Sequence, residues 1–201
     1  MKNQKDDIEF VFRNSQSADE LFDYLIKAIN NKIRDAGLYK ILLWNRALSN
    51  DEISMYAEKI CREFPELSFS IFLWVGQIFE IISEYGEYFD KAFYYYIKAS
   101  SFEPKSHEPY LAILNLYNPE TDIPEFNDLV TIIKQGITTV RYKSLLCFGL
   151  SDLYGKMADL ENRRLYQKMG VFHQGRALIQ DLRQGESQDK GPLPRGWNGL
   201  R

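Results

Sequence analysis

Leu21, Leu25, Ala28, Ile29 and Ile33 recur at spacings of three and four, the period of one face of an α-helix. Ser17-Ala18-Asp19-Glu20 opens this segment as a capping box, in which the serine oxygen accepts an orphan backbone N–H and the glutamate reaches back. Gly37 is placed to end it. A second box, Ser49-Asn50-Asp51-Glu52, precedes Ile53, Ala57, Ile60 and Phe64, and Pro65 closes that segment. The same period predicts helices over 39–48, 51–64, 67–84, 88–101, 107–117, 124–138, 143–156 and 159–182, punctuated by glycine, proline and short polar turns. Short connections make sequential helices antiparallel neighbours. Only Ile8-Glu9-Phe10-Val11-Phe12 alternates with period two. It reads as a short strand or an extended arm, and a strand without a partner favours the arm. The pattern therefore predicts an all-α chain with an N-terminal arm over 1–16, a helical domain over 17–184 and a flexible tail over 185–201. Six of the tail's seventeen residues are Gly or Pro, so no helix is expected there.

Composition narrows the class. The chain has 201 residues, 45% hydrophobic and 26% charged, enough for one sizeable core. A formal net charge of −3 gives no global excess of positive charge for nucleic acid or anionic membrane. The start, Met1 to Asp7, leads into no apolar signal stretch, and the most apolar window, Phe69 to Ile82, reads as too short for a bilayer. A soluble, cytoplasmic protein is expected. Cys61 and Cys147 lie in apolar helical patterns without CxxC or Cys/His spacing, which predicts buried thiols in place of a disulfide or metal site.

A repeat lies beneath the helices. Ala92, Tyr96 and Ala99 place a large aromatic between two small residues at spacings of four and three, and Pro104 follows five residues after Ala99. Small residues let paired helices approach, the aromatic fills the groove to the next pair, and proline breaks the chain into the following unit. The segment 86–104 resembles the second helix of a tetratricopeptide (TPR) repeat. Weaker copies follow at Leu129, Ile133 and Gly136 and at Asn162, Tyr166 and Met169, with Ile53, Ala57 and Ile60 upstream, so the repeat-like region covers 38–170. The small residue the family carries on the preceding helix is missing around Phe79-Glu80, and the loop from Gly86 to Ala92 is one residue longer than usual. The resemblance implies a short α-solenoid of stacked helix pairs whose first helices line a concave groove.

The chain offers little for chemistry. His107 and His173 are its only histidines and lack a ligand partner four residues on; there is no GxSxG, glycine-rich phosphate loop or calcium-loop spacing. Neither catalysis nor a cofactor or metal is expected. Of the aromatic run Tyr94-Tyr95-Tyr96, three directions of a helix allow one or two to face a groove, and core packing is the plainer reading. Trp44 and Trp74 are read as core. Charge is bipolar: residues 1–119 carry 13 Lys+Arg against 18 Asp+Glu, whereas 129–183 carry nine against four. The expected function is a non-catalytic module binding a peptide or helix of a partner protein. Candidate recognition residues are Gln77, Glu84, Leu111, Asn115, Lys143 and Leu146 on inner helices, and Arg163, Arg164 and Lys168 in the basic half. Trp197, with Leu193 and Leu200, makes the tail either inert or a docking motif. The lysine and asparagine set with which some TPR domains grip a chaperone's terminal carboxylate is not matched by Gln77, Asn115 and Lys143. Alternatives are a small secretion-type chaperone, a self-stacking oligomeric scaffold and, less favoured, a nucleic-acid-binding repeat.

Overall fold

The computed structural model describes residues 4–83, 88–120, 122 and 124–188. Ten α-helices and no strand occur among them. The chain divides into two units, Met1–Arg141 and Tyr142–Arg201.

The first unit holds eight helices. The predicted arm is helix α1 (Gln4–Asn14): Ile8 and Phe12, one turn apart, are fully buried, while Phe10 between them is 59% exposed. Five alternating residues satisfy period two and the i, i+4 spacing equally, and burial of Ile8 and Phe12 selects the helix. In α2 (Ala18–Asn30) the Ser17 hydroxyl accepts the Glu20 N–H, as predicted, but the box is not reciprocal: Glu20 Oε2 accepts from the Ser15 hydroxyl at 2.6 Å, and the Ser17 N–H donates to Ser15 Oγ at 3.1 Å. Its end is not Gly37. Lys32 takes the left-handed conformation (φ 53°), the Lys32 N–H donates to Ile29 O and the Ile33 N–H to Ala28 O, a Schellman closure. Gly37 instead lies in the first turn of α3 (Ala36–Leu43), its N–H donating to the Asp35 carboxylate at 2.8 Å. Lys5 also meets Asp35, at 2.5 Å, and this contact holds the Asp35 carboxyl below its ordinary pKa. The second predicted capping box is complete at the head of α4 (Asn50–Glu63). A 3-10 turn, Pro65–Leu67, leads into α5 (Ser68–Ile82), followed by α6 (Phe89–Phe102), α7 (Glu108–Leu116) and α8 (Phe126–Thr139).

Helix α1 packs on α2 and α3, α3 on α4 and α5, α4 on α5, α5 on α6, α6 on α7 and α7 on α8. Beyond the window Phe69 to Ile82 read from the sequence, the longer stretch Pro65–Ile82 has a mean hydropathy of 1.3 over 18 residues, which by length and composition alone would suffice for a membrane span. In the fold, α5 buries Ile71, Phe72, Val75, Ile78 and Phe79 among α3, α4 and α6, the packing of a core helix. Close approach of α5 and α6 depends on Gly76, because a Cβ there would sit 2.5 Å from the ring of Tyr96. Helices α7 and α8 repeat the device with Tyr110 against Gly136. The two alanines of the repeat-like segment, Ala92 and Ala99, are fully buried beside Tyr96.

The second unit is a hairpin of α9 (Lys143–Lys156) and α10 (Leu160–Gln188), again with an aromatic ring, Phe148, seated on a glycine, Gly170. Helix α10 runs beyond the predicted end at 182 and through Gly185. One glycine costs about 1 kcal/mol relative to alanine in a helix, and Glu186 and Gln188 are good helix formers. The tail residues Leu193, Trp197 and Leu200 lie outside the described residues, as does Glu84. Cys61 and Cys147 are buried free thiols, and burial pushes Cys61 up to about 12.

Candidate functional site

The site begins where α3 stops. Leu38, Tyr39, Leu42 and Leu43 fill the buried face of α3, and the next residue, Trp44, forms the C-cap with its indole 47% exposed. Core packing, expected for Trp44 from its Leu42-Leu43 neighbours, is thus corrected. The core face of α3 is complete without it, since the helical phase of Leu38 and Leu42 continues to position 46, not 44.

Asn45 fixes the turn that follows. Its side-chain amide donates to Phe12 O at 2.9 Å and Ser15 O at 3.0 Å, and its carbonyl oxygen accepts the Ala47 N–H at 2.8 Å. One side chain therefore ties the end of α1 to the α3–α4 turn and sets the position of Trp44. Trp74, on α5, is half-buried; its indole N–H donates to Lys40 O at 3.1 Å. The two tryptophan rings stand 6.0 Å apart at 54°, and the Lys40 ammonium lies 5.7 Å from the Trp74 ring centre, in cation–π range.

Three adjoining clefts share Trp44 and Asn45 in their walls. The first, of about 480 Å³, runs between Leu48, Ile53 and Ile78 and continues to Ile81 and Tyr88. The second, about 300 Å³, lies among Phe12, Arg13, Lys40 and Trp74. The third, about 580 Å³, opens between Arg13–Gln16 and Arg46–Ala47. These volumes lie in the range of sites that take a small ligand or a few side chains of a bound peptide. Among the described residues, three cations, Arg13, Lys40 and Arg46, line the clefts, and no Asp or Glu does. Arg13 is held by Glu9 one turn earlier on α1, at 2.9 and 2.7 Å.

The residues singled out from the sequence fall elsewhere. Gln77 is half-buried on α5, one turn past Trp74; Leu111 is half-buried and Asn115 exposed, one turn apart on α7. None lines the three clefts. In the second unit Leu146 is fully buried, so it packs the hairpin core and offers no recognition surface, a correction to its reading as a groove residue. Lys143 is half-buried on α9, while Arg163, Arg164 and Lys168 are exposed on α10. Burial, with Lys143 and Arg176 adding to it, holds the His173 imidazole below its ordinary pKa. Glu84 and Trp197 cannot be placed, lying outside the described residues. The aromatic run divides: Tyr95 and Tyr96 are buried, and Tyr94 is 54% exposed.

Among the described residues no three His, Cys, Asp or Glu side chains gather as a metal site would require. No protein-family model, curated protein or solved structure matches this chain.

Proposed function

We propose that this chain is a non-catalytic interaction module that binds a segment of a partner protein in the clefts around Trp44. The observation that carries the reading is the half-exposed indole of Trp44 at the junction of three clefts, braced by Trp74 and by the Asn45 hydrogen bonds. A rigid tryptophan edged by arginines is the composition of binding hot spots, where desolvation of a few side chains supplies most of the affinity. Row packing of α1, α3 and α5, with α4 and α6 against α5, supports a TPR-like stack of helix pairs as the scaffold, and the glycine–aromatic seats supply the close helix approach such a stack needs. The test is capture from the source cell with three baits: the parent chain, Trp44→Ala, and Met55→Ala, which removes an exposed side chain away from the clefts. A partner lost with Trp44→Ala and kept with Met55→Ala supports the reading. Identical sets of captured proteins on all three baits overturn it.

A second reading, a self-associating scaffold, rests on the second unit. Leu160, Leu165, Val171 and Phe172 of α10 are all at least half exposed, beside the exposed cations Arg163, Arg164 and Lys168. Such a stripe favours association. A mass that rises with concentration in the parent and not in Leu165→Glu/Phe172→Glu distinguishes it.

A further inference from the structure

We infer that the segment taken up by the Trp44 clefts is an acidic amphipathic peptide, with apolar side chains entering between Ile53 and Ile78 and carboxylates meeting Arg46 and Lys40. This rests on the reading of the clefts as a peptide site and names the chemistry of its ligand.

The first support is a local reversal of charge. Met1–Arg141 carries 15 Lys+Arg against 22 Asp+Glu, a net of −7. Yet the charged residues lining the clefts, among the described residues, are Arg13, Lys40 and Arg46. In a unit richer in acids than bases, a concave surface whose described charged residues are all cations is a favourable environment for anions.

The second is the state of those cations. Some cations of the unit pair with acids: Lys5 with Asp35, Arg34 with Glu66, Lys91 with Asp51 and Lys98 with Glu58. Among the described residues Arg46 is exposed and pairs with no acid, and Lys40, also without an acid partner there, has its ammonium beside the Trp74 ring. Arg13 spends two of its nitrogens on Glu9 and is the least available of the three. A planar guanidinium with its donors unspent, next to an exposed indole, suits a carboxylate attached to an apolar chain.

The third is the apolar end of the surface. Leu48, Ile53 and Ile78 wall the first cleft, and Ile81, 65% exposed, stands at its edge. Apolar walls leading into a cationic end match a peptide in which leucine or aromatic residues alternate with acids. A polyphosphate fits less well. Three cations neutralise few phosphates, and the surrounding net charge of −7 repels a long polyanion more than a short peptide. Salt at physiological strength confines the contest to the cations within about 8 Å, which face the ligand first.

The test selects a phage-displayed library of random twelve-residue peptides on the full chain, on Trp44→Ala and on Lys40→Glu/Arg46→Glu, each checked for unchanged helicity by circular dichroism. The chosen peptides and a twelve-nucleotide oligo(dT) are then titrated by fluorescence anisotropy. The expected result is enrichment of peptides with Asp or Glu flanking Leu, Phe or Trp, with affinity lowered about tenfold or more by the double charge reversal and lost with Trp44→Ala. Peptides that depend on Trp44 but show no acidic bias and bind the reversed variant equally overturn this inference and leave the peptide-site reading standing. Selection indifferent to Trp44 overturns both. Oligo(dT) binding more tightly than every selected peptide assigns the surface to nucleic acid and overturns the inference.

Discussion

Replacing Gly76 by alanine tests the packing that holds α5 against α6. The new Cβ would lie 2.5 Å from Tyr96 Cε1, 2.6 Å from Cδ1 and 3.1 Å from Cζ. Carbon atoms in contact rest at about 3.5–4.0 Å, so the ring must retreat by about 1 Å. It has little room to do so. Tyr96 is fully buried, and its hydroxyl donates to Glu80 Oε2 at 2.5 Å, so both faces and the tip of the ring are held. Overpacking of this kind costs about 1–3 kcal/mol, and the better helix propensity of alanine returns about 1 kcal/mol. The upper half of the range applies to a pinned ring, leaving a net loss of about 1–2 kcal/mol. For a chain of this size, each kcal/mol moves the melting temperature by about 2–4 °C.

Thermal melts followed by circular dichroism at 222 nm should therefore show Gly76→Ala below the parent. The decisive comparison is the same substitution in a Tyr96→Leu background, where the clash is relieved and the propensity gain remains. There Gly76→Ala should raise the melting temperature, a reversal of sign that only steric coupling between the two positions produces. A single variant melting at or above the parent, or additive effects in the double variant, refutes the reasoning. Gly175→Ala calibrates the propensity gain, since no atom lies within 4 Å of a Cβ there.

Ala158 closes α9 with φ 57°, the Ala158 N–H donating to Gly155 O and the Asp159 N–H to Tyr154 O, so Ala158→Gly should raise the urea midpoint of the second unit by roughly 0.5–1 kcal/mol. A lowered midpoint would show that the left-handed residue is unstrained. Ser49→Ala removes the cap of α4, including the Ser49 contacts with Glu52, and should cost about 1 kcal/mol in the same assay; no change would show that water replaces the cap without loss. Burial raises the Cys61 thiol to about 12, so at pH 8 it should stay unmodified by Ellman's reagent in the folded chain and react on unfolding; rapid native reaction would contradict its burial. Burial also raises the phenols of Tyr39 and Tyr96 above 10.0. Above pH 10 the unfolded chain then holds fewer protons than the native one, so stability should fall as pH rises, by up to about 1.4 kcal/mol per pH unit for each phenol. A urea midpoint that stays level from pH 9 to 11 would refute this.

Much of the helical layout was legible in the sequence, because the Ser17 cap, the Ser49–Glu52 capping box and the three-and-four spacing act within a few residues. The helix predicted over 143–156 is observed with those bounds, and that over 51–64 as Asn50–Glu63. Where local signals compete, the reading failed. The Schellman closure at Lys32 uses a non-glycine residue in a glycine conformation, so composition pointed past it to Gly37. Period two in Ile8 to Phe12 concealed a helix that only tertiary burial selects. The small residue of the close helix crossing is Gly76, one turn before the Phe79-Glu80 position where the repeat pattern looked for it. The site was less legible still. Trp44 and Trp74 are thirty residues apart, and what brings them together is an indole bonded to a backbone carbonyl and an asparagine bonded to two others, interactions with no sequence period.

Helix α5 joins the packing of the core to the walls of the clefts. One face carries Gly76 against Tyr96, while the opposite face carries Trp74, which packs near Trp44. The helix is rigid over the two positions, a half-turn apart, so its depth against α6 also sets how far Trp74 stands from α3. A methyl group that pushes α5 outward at Gly76 alters the 6.0 Å separation of the tryptophan rings on the other side. Demands of the core and of the cleft thus converge on one short segment, Trp74-Val75-Gly76, and they act on different residues. Trp44→Ala removes the half-exposed side chain shared by the three clefts and leaves the buried face of α3 intact. Gly76→Ala removes no cleft side chain and is expected to change the spacing between them. If the clefts recognise their ligand through that spacing, Gly76→Ala weakens binding at temperatures well below its melt, where the chain is still fully helical.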